Sequence, residues 1–112
     1  MSSVVIRSVD AAAVRRSADE YAARLLATRP EVEEIVVFGS FAKGTWAPGS
    51  DLDVLVLLSR SAKPFRERIP DLLPGPFPVG LDLFPYTREE LAAAGLRSFV
   101  DEVGRSTWRY RR

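Results

Sequence analysis

A chain of 112 residues is one domain's worth, and 46% hydrophobic with 28% charged residues places it among globular sequences rather than disordered or low-complexity ones. Lys+Arg 16 against Asp+Glu 15 leaves a net charge of +1, so any field that attracts a ligand must be local. Cys 0 and His 0 exclude disulfides, thiolate and imidazole zinc sites, cysteine nucleophiles and Ser-His-Asp hydrolysis; chemistry is left to carboxylates, hydroxyls, Lys and Arg. No run approaches the ~20 apolar residues of a membrane span, and the first residues lack a basic-then-apolar leader, so a cytoplasmic location is expected.

The first helical pattern opens at Asp10, a suitable N-cap, with Val9 and Val14 placed to form a hydrophobic staple. Val14, Ala18, Tyr21, Ala22 and Leu25 recur at three- and four-residue spacing and define its buried face, and Pro30 ends it. Glu34 to Phe38 is a β-branched run closed by Gly39 and reads as a strand. Residues 39–46 have room for one or two helical turns, and Ala47-Pro-Gly-Ser50 forms a turn. Leu52 to Leu58 is Val and Leu throughout except for Asp53, the pattern of a strand in the middle of a sheet covered on both faces.

Ser59 to Gly80 is less regular, with a short helix expected over Phe65 to Leu73 and a rigid proline-rich stretch at Pro74–Pro78. A third strand is expected over Val79 to Phe84. Thr87-Arg-Glu-Glu90 has the form of a capping box and opens a last helix that runs to about Val103, with Gly104 as its stop. The tail, Arg105 to Arg112, is basic and aromatic and is expected to be only partly ordered. It reads as a packing aromatic plus a solvated basic end rather than a nucleic-acid contact.

Gly39-Ser40 stands where a strand passes into a helical turn. There backbone N–H groups and the helix dipole favour an anion, the missing Cβ of Gly39 lets a phosphate approach, and Ser40 adds a hydroxyl donor. Alone, such a pair is usually just a turn and a cap. Asp51 and Asp53, two apart at the entrance to a strand, point to the same side and repel each other unless a cation or solvent neutralises them. Asp82, a third carboxylate inside an otherwise apolar run, needs a partner that His and Cys are not present to supply. An oxygen-rich cluster of this kind suits Mg²⁺ or Mn²⁺. Ten residues, 41–50, separate Gly39-Ser40 from Asp51, which permits an antiparallel pair bringing cradle and carboxylates into one cleft.

Gly39-Ser40, ten residues, Asp51-Leu-Asp53 and the later Asp82 resemble the polymerase-β-type nucleotidyltransferase superfamily over about Val32 to Phe84. The short length is most similar to its minimal nucleotidyltransferases, antitoxins of HEPN-domain toxins. The resemblance implies one nucleotidyltransferase domain over 1–112, an α/β (α+β) fold with a small mixed sheet flanked by helices. It implies a triphosphate-binding pair at Gly39 and Ser40, and Asp51, Asp53 and Asp82 as catalytic metal ligands for two Mg²⁺ ions, or Mn²⁺. The implied reaction moves AMP from ATP to a hydroxyl, a tyrosine by analogy, on a HEPN toxin. The first two strands should be antiparallel and the third parallel to the second.

A Walker loop is rejected because Thr45, not Lys, follows Gly44. The rival reading is a module of the same fold that neutralises a toxin by contact alone. No membrane or nucleic-acid partner is expected. Lys43 and Arg60 read as ordinary surface charges and stay outside the candidate site.

Overall fold

The structure, a computed structural model, describes residues 10–93 and 95–112. Helix α1 spans Ala11–Thr28, capped by Asp10, whose side chain accepts from the Ala13 N–H at 3.0 Å. The helix buries Val14, Ala18, Tyr21, Ala22 and Leu25, the face expected from their spacing. It stops at Arg29, the residue before Pro30, which takes an extended conformation because a helical one would clash with the proline ring. Val9, the other half of the expected staple, lies outside the described residues.

Strand β1 (Val32–Phe38) leads into a one-turn helix, α2 (Ser40–Lys43), and β2 (Leu52–Leu58) runs back beside β1 in antiparallel register. The chain then crosses over through α3 (Phe65–Leu72) to β3 (Leu81–Thr87), which lies parallel to β2. A parallel pair requires such a crossover, which is why 59–80 looks irregular in the sequence. The strand order is β3-β2-β1-β4, a mixed four-stranded sheet with both expected strand directions. β2 is flanked on both sides, as its Val and Leu run requires.

Several boundaries depart from the sequence reading, and β1 begins at Val32, two residues before the expected Glu34. β3 begins two residues later than expected and continues through Pro85, which is tolerated because β3 is an edge strand and its missing N–H breaks no ladder on the open side. The single last helix is two, α4 (Arg88–Leu91) and α5 (Arg97–Gly104), with Gly95 at φ 97° between them. Thr87 does form the capping box with Glu90. Gly104 ends inside α5 rather than after it.

The tail is ordered, contrary to expectation. Trp108–Arg111 is strand β4, paired antiparallel with β1. Trp108 and Tyr110 pack on the α1 side, where the Trp108 indole N–H donates to the Tyr110 hydroxyl and Arg15 lies 4.5 Å from the Trp108 ring centroid. Arg109 and Arg111 both donate to Glu34 of β1. The aromatic groups of the tail and Arg109, Arg111 and Arg112 are thus engaged within the chain itself.

Two apolar layers sandwich the sheet. On one face α1 packs over Val32, Ile35, Val37, Leu52, Val54, Val56 and Leu58, joined by Phe41 of α2 and Leu72 of α3. On the other, Val103 and Phe99 of α5 and Leu91 of α4 cover Val36, Phe38, Leu55 and Phe84. Among the described residues no helix is long and apolar enough to cross a membrane.

Candidate active site

The end of the sheet where β1 finishes and β2 and β3 begin gathers the residues singled out from the sequence. One register row crosses three strands there: Phe38 pairs with Asp53, and Asp53 pairs with Asp82. Register partners project to the same face, so Asp53 and Asp82 stand side by side on the α5 face, with Asp51 two residues earlier on the same strand approach. The antiparallel turn expected from the ten-residue spacing is what returns Asp53 to the end of β1, next to Gly39.

Gly39 is the N-cap of α2, at φ 76°, ψ −154°, a conformation strained for any residue with a side chain. A Cβ there would stand 2.1 Å from Asp53 Oδ2, so the space expected to admit a phosphate is bounded directly by the Asp53 carboxylate. Gly80, just before β3, does the same for the other aspartate: a Cβ at 80 would lie 2.2 Å from Asp51 Oδ1. The two carboxylates therefore lean apart, Asp53 towards the end of β1 and Asp51 towards β3, as like charges on one strand should. Ser40 opens α2 half-buried; with a single turn, the helix contributes little dipole, and an anion would be met by backbone N–H groups and the Ser40 hydroxyl.

Asp53 is half-buried, whereas Asp51 and Asp82 are exposed. The expectation that Asp82 needs a partner is thus corrected: it is the second residue of an edge strand and water reaches it. The desolvated member is Asp53. Burial first, and then the carboxylates of Asp82, Glu102 and Asp51, raise its carboxyl to about 6, with Lys43 opposing. Among the described residues no side chain or N–H donates a hydrogen bond to Asp51, Asp53 or Asp82, and no cation forms an ion pair with them. A divalent cation would relieve that arrangement, and three carboxylates are the hard oxygen donors Mg²⁺ takes. As they stand, no three acidic groups among the described residues are close enough to hold one ion, so sharing it requires side-chain rotation from the splayed positions.

Two site residues went unseen in the sequence. Lys43, read as a surface charge, closes the turn of α2 with its N–H on the Gly39 carbonyl and brings its ammonium within Coulombic reach of Asp53. Glu102 arrives from α5, with no local signal in the sequence, and meets Lys43 at 3.4 Å. Arg60 lies just past the opposite end of β2 and has no part in this cleft.

The family model of the nucleotidyltransferase domain matches residues 19–107, a span that runs from within α1 to the start of the tail and takes in every residue of the cleft. The chain belongs to the nucleotidyltransferase domain family. A protein from Sulfolobus solfataricus, described provisionally as a nucleotidyltransferase, has a similar structure. It is 18% identical, with a TM-score of 0.56 over 90% of this chain and 80% of that one. At that identity the likeness supports the fold alone. No curated protein matches the chain. For a nucleotidyltransferase domain, nucleotidyl transfer is the class of reaction, and the cleft at the β1–β2–β3 end is where its acidic and glycine-serine residues meet.

Proposed function

We propose that this nucleotidyltransferase transfers AMP from ATP to a hydroxyl of a partner protein, a tyrosine of a HEPN-domain toxin, and so serves as an antitoxin. The observation that carries the reading is the row Phe38–Asp53–Asp82, which places the Asp51/Asp53 pair and the third aspartate beside the Gly39-Ser40 turn at one end of the sheet. Support for a partner-protein acceptor comes from the resemblance to the minimal nucleotidyltransferases.

In this reading Gly39 and Ser40 hold the triphosphate through backbone N–H groups and the Ser40 hydroxyl. The acceptor oxygen attacks the α-phosphorus in line with the bond to the β-phosphate oxygen. An O–P bond forms, the Pα–O–Pβ bridge breaks, and pyrophosphate leaves. Asp82, exposed at the cleft mouth, is the carboxylate placed to take the acceptor proton. Asp51, Asp53 and Asp82 are the residues that would hold Mg²⁺, which when bound neutralises phosphate charge and acidifies the attacking hydroxyl. Asp53 suits this role because its raised carboxyl marks a site where negative charge lacks compensation.

The test incubates the protein with Mg-ATP and the product of the gene beside its own, followed by intact mass measurement. Transfer raises the acceptor mass by one AMP moiety. The double variant Asp51→Ala, Asp53→Ala keeps its fold and loses the mass increase. If the acceptor is neutralised with no gain in mass, the domain acts by contact and the catalytic reading is wrong.

A further inference from the structure

The lysine nearest the cleft, Lys43, is already engaged by an anion belonging to the chain itself. Its ammonium lies 3.4 Å from Glu102 Oε2. The pair bridges two elements remote in sequence, α2 after β1 and α5 near the C-terminal strand, and both members act on the Asp53 carboxyl, Glu102 raising and Lys43 lowering it. Both line a small cavity of ≈ 90 Å³ together with Phe38, Gly39, Ala42 and Arg105, among others. Two cations thus border a space that Gly39 also lines, and a carboxylate stands among them.

The Lys43 and Glu102 side chains are 61% and 37% exposed, and an ion pair open to solvent to that degree is held weakly. An anion carrying several charges can displace the carboxylate at small cost, because the 3.4 Å contact is longer than the roughly 2.7–2.9 Å of a good charge-assisted bond, which phosphate oxygens can make to the same ammonium.

We propose that Glu102 is an internal competitor for phosphate: it holds Lys43 in the ligand-free domain and is displaced by the nucleotide's phosphates, so that it lowers affinity for anions and favours those of high charge. The proposal rests on the nucleotidyltransferase reading of this cleft. It makes Glu102 a specificity-determining residue that neither reacts nor binds substrate itself.

Equilibrium binding of a fluorescent ATP with Mg²⁺, titrated into the full-length protein, tests it. Glu102→Gln keeps the shape of the side chain and removes its charge, and it should tighten binding by about two- to fivefold, the range expected from removing one weak competing pair. Asp101→Asn, the same charge change on the exposed neighbouring residue of α5, should leave binding unchanged. In a Lys43→Met background the Glu102→Gln gain should vanish, since the competitor then has nothing to hold. Unchanged or weakened binding in Glu102→Gln, or an equal gain with Lys43 absent, overturns the competitor while the wild-type affinity leaves the functional reading standing. Failure of wild type and every variant to bind ATP at all instead overturns the functional reading, and the competitor with it.

Discussion

Gly80 offers the most local perturbation of the cleft. A Cβ at 80 would stand 2.2 Å from Asp51 Oδ1, closer than real Cβ contacts come, and a tight 3.1 Å from its Cγ. Gly80 is not among the glycines with positive φ, so alanine adds no backbone strain. Its reduced freedom in the unfolded chain should stabilise the fold by about 0.4–1 kcal/mol. What must yield is the Asp51 carboxylate, by about 1 Å, and a misplacement of that size at a reacting centre can cost on the order of 10²-fold in rate. Gly80→Ala should therefore melt at or slightly above the wild-type temperature, while nucleotidyl transfer at saturating ATP falls by roughly 10- to 100-fold. Thermal denaturation followed by circular dichroism, paired with transfer of label from α-labelled ATP to the acceptor, reads both quantities on one preparation. A wild-type rate in Gly80→Ala would show that the position of Asp51 is not what the turn before β3 protects. A rate that falls only in step with a lowered melting temperature would refute the reasoning equally.

Asp53 should make the fold less stable as pH rises. Its carboxyl ionises near 6 in the folded state and near 3.8 in the unfolded one, so the folded chain binds the extra proton between those values. The penalty is absent below about pH 4, grows through that window and is complete above about pH 6. Asp53→Asn should raise stability at pH 8 by about 1 kcal/mol, after discounting for a half-exposed group, and by nothing measurable at pH 4. Equal melting temperatures at pH 8 would mean that Asp53 is not desolvated as described. A second prediction concerns the edge of β3. Arg68 is buried and donates to the Pro85 and Lys63 carbonyls and, through both terminal nitrogens, to Glu90. Arg68→Met should lower the free energy of urea unfolding by about 2 kcal/mol, because two carbonyls and the Glu90 carboxylate lose their donor. The same variant should lose the part of the wild type's acid sensitivity that the Arg68–Glu90 pair contributes. Arg68 and the Thr87 N–H hold Glu90 down to about 2, from 4.5, so its stabilisation is present above about pH 4.5 and fades as pH falls towards 2. An unfolding curve identical to wild type at neutral pH would rule this account out.

Much of the fold could be read along the chain because the apolar periodicities are clean. The helix face Val14, Ala18, Tyr21, Ala22, Leu25 and the Val-Leu run of β2 appear in the structure where the spacing puts them. The composition of the tail, basic and aromatic, conceals a strand. Trp108-Arg-Tyr-Arg111 alternates with the period of a strand, and that alternation sends the aromatics to α1 and the arginines to Glu34. The split between α4 and α5 was missed because the polar and apolar positions on both sides of Gly95 are compatible with one continuous helix.

The candidate site divides in the same way. That Gly39-Ser40, Asp51, Asp53 and Asp82 come together at one end of the sheet was legible, because their spacing follows from one turn and one strand. The local chain could not say which of the three aspartates is desolvated, that Gly80 makes room for Asp51, or that Glu102 of α5 reaches across to Lys43. Those facts depend on which strands lie side by side and which helix covers them. Burial and Coulombic coupling act through space, between groups such as Lys43 and Glu102 that are 59 residues apart along the chain, and only the packed sheet sets those distances.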